Sequence, residues 1–147
     1  MTTLDDLAAL LRREHGLCVV STLRPDHTIQ SSVVNAGVTT NPITGEPAVA
    51  FVAAGRSRKL VHLRERPQIT LAARVSWEWA SADGTATLIG PDDPASGFGA
   101  DGIRQLLRDV FTAAGGTHDD WDEYDRVMAA ERRTAVFIAP TRVYSNR

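Results

Sequence analysis

The 147 residues carry 16 Lys and Arg against 18 Asp and Glu, a net charge of −2, so no overall basic field marks the chain as a nucleic-acid or membrane-surface binder. Hydrophobic residues make up 43% and charged ones 23%, the balance of a globular protein, and the length suits one domain, 1–147. The single Cys18 excludes an internal disulfide and a cysteine-ligated zinc site, and no apolar stretch nears the ~20 residues of a membrane span.

Met-Thr-Thr-Leu-Asp-Asp at the start has neither the basic nor the apolar part of a signal peptide, which leads to the expectation of a cytoplasmic protein. Thr2 or Thr3 then caps a helix whose Leu4, Leu7, Leu10 and Leu11 form one face, with Gly16 marking its end. Leu17 to Leu23 reads as a strand, Arg24-Pro25-Asp26-His27 as a turn, and Thr28 to Val38 as the return strand of a hairpin. Asn41-Pro42-Ile43-Thr44-Gly45 makes a second turn into the apolar run 47–54.

The segment that follows is the most distinctive in the chain. Gly55 permits a sharp turn, and Ser57 is placed to cap a short helix whose first turn carries Arg58 and Lys59. Arg56, Arg64 and Arg66 complete a set of five cations, and Pro67 stops the helix. A helix N-terminus flanked by cations attracts phosphate, and small residues at 53–55 would let a ligand approach the backbone. The alternative reading of the same cations is the solvated face of a short helix, and the small residues at 53–55 favour the anion site over it.

Gln68 to Val75 and Trp77 to Ile89 read as strands, the second bent near Gly84, with Trp77 and Trp79 on one side at period 2. Those tryptophans form either an aromatic wall for a flat ligand or ordinary packing. Pro91 to Gly102 is a loop, helices follow over about 101–113 and 119–131, and Thr134 to Tyr144 supplies one or two closing strands. Trp121 and Tyr124, three apart on a helix, read as packing. His15, His27, His62 and His118 are scattered, without metal-ligand spacing, and His62 reads as a solvated position on the basic helix. No Gly-x-Ser-x-Gly elbow or other nucleophile motif is present.

Six to seven antiparallel strands with early hairpins and late helices predict an α+β protein built on a small β-barrel, and turn-only connections argue against a doubly wound sheet. Ser57-x-Lys59-x-x-x-Leu63-x-x-x-Pro67 before a strand is one of three signatures. The second is Asp83-Gly84-Thr85-Ala86 after the tryptophan pair, and the third is Trp121-Asp-Glu-Tyr124, Arg132-Arg133 and Pro140-Thr-Arg-Val143-Tyr144. Together they resemble the split β-barrel flavin and deazaflavin reductases related to pyridoxamine 5′-phosphate oxidase, and more narrowly the actinobacterial class that uses coenzyme F420.

That resemblance implies a homodimer with the cofactor in a groove at the interface and a small-molecule substrate. It places Lys59 as the phosphate-contacting lysine, with Ser57 and Arg58 on the same helix, Trp77 near the groove, and Ser32 and Asn35 as polar candidates for ring contacts. Arg56 joins them by charge and position. The turn Asp26-His27-Thr28-Ile29 and the residue Arg66 before Pro67 depart from the family pattern. The implied activity is an F420-dependent hydride transfer to an unsaturated or aromatic small molecule, in which the cofactor does the hard chemistry and no catalytic residue is assigned. The alternatives are an FMN-dependent oxidoreductase of the pyridoxamine 5′-phosphate oxidase type and a non-catalytic binder of a cofactor or tetrapyrrole.

Overall fold

Thr3 opens the chain's first helix with a reciprocal cap: its hydroxyl accepts from the Asp6 N–H, and the Asp6 carboxylate accepts from the Thr3 N–H. The computed structural model describes all 147 residues, and this helix, α1 (Leu4–Arg13), turns Leu7, Leu10 and Leu11 into the core. Six strands follow the expected hairpin logic: β1 (Leu17–Leu23), β2 (Ile29–Thr40), β3 (Pro47–Ala53), β4 (Gln68–Val75), β5 (Glu78–Ile89) and β6 (Thr134–Ser145). Every pairing is antiparallel, and the strands close into a barrel in the order β1-β2-β3-β6-β5-β4. The fold is therefore α+β, a six-stranded split β-barrel with four helices.

Alternation along the strands sends Val20, Val34, Val49, Phe51, Leu71, Val136 and Ile138 inward, where they meet the leucines of α1. Burying a side chain of this size contributes about 1.5–3 kcal/mol, so Phe51, with no exposure, is among the residues that hold the barrel shut. A second cluster lies outside the barrel, where α3 (Ala100–Ala113) and α4 (Trp121–Ala130) cover Ala48, Ala50, Ala135 and Phe137 of β3 and β6. Gly37 allows the close approach of α3 to β2: a Cβ there would lie 2.1 Å from the Ala113 carbonyl oxygen. Register shifts at Asp83/Gly84, the bend expected in β5.

The split arises because β3 pairs with β2 only from Ala36 to Thr40. Residues 29–35 of β2 keep β1 on one side and have no strand on the other. Beyond Ala53 the chain turns away into α2 (Arg58–Glu65), which covers that end of the barrel. His62 corrects the sequence expectation of a solvated position. It is 2% exposed and shares a 2.9 Å hydrogen bond with the Thr22 hydroxyl of β1, because α2 turns Leu60, His62 and Leu63 onto the barrel.

The tryptophan pair is also placed differently from its period-2 reading. Val75 faces Glu78 across the β4–β5 hairpin, so Ser76 and Trp77 form a two-residue tip, with Ser76 at φ 54. Trp77 projects into solvent at 90% exposure, whereas Trp79 lies in β5 with its ring edge-on to Tyr144. No helix is long and apolar enough to cross a membrane.

Candidate functional site

The N-terminus of α2 sits where β3 leaves the sheet, and its polar groups lack partners. Ser57 occupies the cap position in extended conformation, but its side chain makes no cap hydrogen bond. Its Oγ is buried and has no hydrogen-bond partner at all. The N–H groups of Arg58, Lys59 and Leu60 likewise meet no acceptor in the protein. The uncapped, serine-led helix start thus leaves its donors free for an acceptor from outside.

The five cations of this segment divide by partner. Arg64 makes two hydrogen bonds of 2.8 and 2.7 Å to the Asp93 carboxylate, and Arg66 pairs with Glu65 at 3.2 Å and donates to the Leu23 carbonyl. Arg56, Arg58 and Lys59 have no carboxylate within 4.0 Å, and all three flank the uncapped turn. Burial, and secondarily the charge of Arg133, holds the Lys59 ammonium below the ordinary lysine range. A phosphate beside it would reverse that pressure.

Gly55 serves a purpose other than ligand access. A Cβ there would lie 2.6 Å from the Arg132 carbonyl oxygen, and its N–H donates to Glu131, so this glycine seats the turn against the end of α4. That contact explains how Arg133 reaches the site. Ala53 pairs with Thr134 across β3 and β6, which brings residues 54–59 and 131–133 to one end of the barrel although they are far apart in sequence.

Arg133 also lines a cleft of about 400 Å³, with Val52, Phe111, Tyr124 and Met128 on its walls and Asn35 and His15 at its rim; none of residues 54–59 lines it. Phe111 and Tyr124 form its aromatic wall and pack in turn against Trp121 and His118, with centroid separations of 4.9 to 6.5 Å within the group. Tyr124 donates to the Leu107 carbonyl at 3.1 Å, and burial pushes its phenol up to about 12. The volume lies in the range of about 300–1,000 Å³ typical of small-molecule sites, and the walls are largely apolar with a cation at one end.

The residues named from sequence thus separate. Arg56, Ser57, Arg58 and Lys59 share the α2 corner, and Asn35 lies at the cleft rim with its amide donating to the His15 carbonyl at 2.9 Å. Ser32 stands opposite Val20 on the inward side of β2, half-buried and pointing away from the cleft face that Asn35 shares. Trp77 is at the hairpin tip described above. Arg133, Phe111 and Tyr124 were given no site role from the sequence, and the signal for Arg133 lay in the dibasic pair placed directly before a strand.

No protein-family model matches the chain. Solved structures do match it over nearly its full length. A conserved hypothetical protein from Mycobacterium tuberculosis superposes with a TM-score of 0.70 at 17% identity, covering 99% of this chain and 84% of that one. A protein described as an F420 reductase gives 0.60 at 15% identity, covering 92% and 94%. A pyridoxamine 5′-phosphate oxidase-related, FMN-binding protein from Nostoc punctiforme gives 0.63 at 14%, covering 96% and 82%. At these identities the likeness is one of fold, and it identifies the split β-barrel architecture.

Proposed function

We propose that the protein is an F420-dependent oxidoreductase that reduces an unsaturated or aromatic small molecule. The observation that carries this reading is the buried, unpartnered Ser57 Oγ at a helix start flanked by Arg56, Arg58 and Lys59, none of which has a carboxylate partner. An anionic tail would supply the missing acceptors there, through charge-assisted hydrogen bonds from Lys59 and the helix N–H groups. When bound, the deazaflavin supplies the hydride chemistry. The chain's own part is to hold the tail at α2, to seat a flat ring in the cleft between Asn35 and Tyr124, and to keep water from the apolar wall.

Two protomers complete this reading. Leu17, Val19, Ile29 and Val33 form an outward apolar patch on β1 and β2, 41–64% exposed, with Val19 and Val33 facing each other across the strands. A patch of this kind on a sheet face calls for a covering surface, and closed twofold pairing with a second copy is the commonest one. Sedimentation at micromolar concentration is expected to give a dimer; a 15.9 kDa species would rule the pairing out.

The deciding experiment is fluorescence titration of the purified protein with F420 and with FMN. F420 is expected to bind at least tenfold more tightly, a difference of about 1.4 kcal/mol. FMN binding of equal or greater strength would instead favour the FMN-dependent reading, to which the fold likeness with the FMN-binding Nostoc protein points. Failure of both to bind would overturn the anion site at α2.

A further inference from the structure

The molecule holds a second cavity, larger than the cleft. A chamber of about 730 Å³ opens between the 90–99 loop, the first half of α3 and the inner face of α4. Pro91, Pro94, Phe98, Ile103, Leu107 and Met128 give it an apolar floor and walls. Met128 and Arg133 are common to this chamber and the 400 Å³ cleft, so those two side chains form the partition between them.

The rim is rich in guanidinium groups, yet their charge is already answered. Arg104 is held by Asp101 and lies near Asp125; Arg126 bonds both Glu123 oxygens; Arg132 grips Asp92 at 2.6 Å; and Arg133 pairs with Glu131 at 2.8 Å. Asp122, also on the wall, has no ion-pair partner. An anion entering here would have to compete with carboxylates already in place and would meet an uncompensated one. A carbonyl-type oxygen needs no such exchange, because each guanidinium offers five N–H donors and a carboxylate occupies only some of them.

The loop that roofs the chamber is fixed in place. Asp93 bridges to Gly90 through paired backbone hydrogen bonds and is gripped by Arg64, and Asp92 is held by Arg132. The cavity is thereby preformed, which lowers the ordering cost of binding.

We infer that this chamber is a second small-molecule site, which takes an uncharged, largely apolar molecule bearing one or two carbonyl-type acceptors that bond the rim arginines. The inference does not depend on which cofactor, if any, binds at α2. Its test uses 7-diethylaminocoumarin, which is neutral with a lactone carbonyl, and the same dye carrying a 3-carboxylate, each titrated by fluorescence into the protein without added cofactor.

The neutral dye is expected to bind one per chain and about tenfold or more tighter than its carboxylate. Ala129→Trp places a large side chain in the chamber from an exposed position on α4, so the fold is retained. It is expected to weaken the neutral dye about tenfold or more, with an unchanged thermal transition and unchanged F420 or FMN titration. Equal binding of the carboxylate, undiminished binding to Ala129→Trp, or the absence of saturable binding would each overturn the proposal. Loss of F420 and FMN binding in the wild type, with dye binding intact, would overturn only the reading of the α2 corner.

Discussion

Two cation-rich regions meet at Arg133, and they are wired in opposite ways. At the start of α2, Arg56, Arg58 and Lys59 have no carboxylate partner and Ser57 Oγ is buried without a hydrogen bond. Around α3 and α4, Arg104, Arg108, Arg126 and Arg132 each hold an Asp or Glu. Both sets are cationic, but a paired side chain has its charge answered within the protein while an unpaired one repels its neighbours until an anion arrives. Pairing, more than charge count, is what distinguishes the proposed binding corner from the framework.

The sharpest way to break this comparison is Lys59→Ala. Removing one charge-assisted hydrogen bond from a partly desolvated phosphate is expected to weaken F420 or FMN binding by ~1.5–3 kcal/mol, about 10- to 200-fold. Stability should change little or improve, since an ammonium in the first turn faces the positive end of the helix dipole. Titration and thermal denaturation of the same variant check both halves. Wild-type binding, or a large loss of apo stability, would place α2 with the framework instead.

His62 tests the joint beneath the proposed binding corner. Replacing it with alanine removes the hydrogen bond to Thr22 and leaves that buried hydroxyl unpaired, at an expected cost of about 1–3 kcal/mol in denaturant unfolding. Burial, followed by the charges of Arg58, Arg24 and Arg66, depresses the imidazole's proton affinity in the folded protein, against a smaller opposing effect of Glu65. A group depressed on folding contributes stability above its unfolded value and loses it as pH falls. Wild-type stability should therefore decline as pH drops below 6.5 more steeply than that of His62→Gln, and parallel curves would contradict this.

How much of this was legible in advance depended on the range of the interaction. The hairpins, the helix after Gly55 and the bend near Gly84 are local events, set by turn residues and alternation, and they stand as read from sequence. The burial of His62 was not legible, because α2 presents a histidine inward only when β1 offers Thr22 to receive it. Trp77 was misplaced by one step of local geometry: a two-residue hairpin tip interrupts the alternation that had put both tryptophans on one face. Arg133 joined the site through the Ala53–Thr134 pairing, a contact between segments far apart in the chain.

Within the framework region, Arg108 is expected to show the larger effect. It bonds both oxygens of Asp125 and lies over the Trp121 ring, 5.2 Å from its centroid, tying α3 to α4. Arg108→Ala should lower the melting temperature by roughly 3 °C, mostly through lost packing and the lost paired hydrogen bonds to Asp125, while F420 or FMN affinity stays as in the wild type. A loss of cofactor affinity without a loss of stability would erase the distinction between the two regions.

The smallest effect belongs to Arg126, whose pairing with Glu123 spans one turn of α4 and leaves the two side chains 69% and 47% exposed. Water and salt screen such a pair, and holding two long side chains in one geometry offsets most of the attraction. Arg126→Ala should leave the melting temperature within measurement error at physiological salt, in contrast to Arg108→Ala one helix away. The two substitutions remove the same group from ion pairs of similar geometry, so the gap between them measures what partial burial and an aromatic neighbour add. A shift for Arg126→Ala as large as that for Arg108→Ala would mean that the arginines act as one coupled network, in which case pairing of individual residues would no longer mark off the framework from the binding corner.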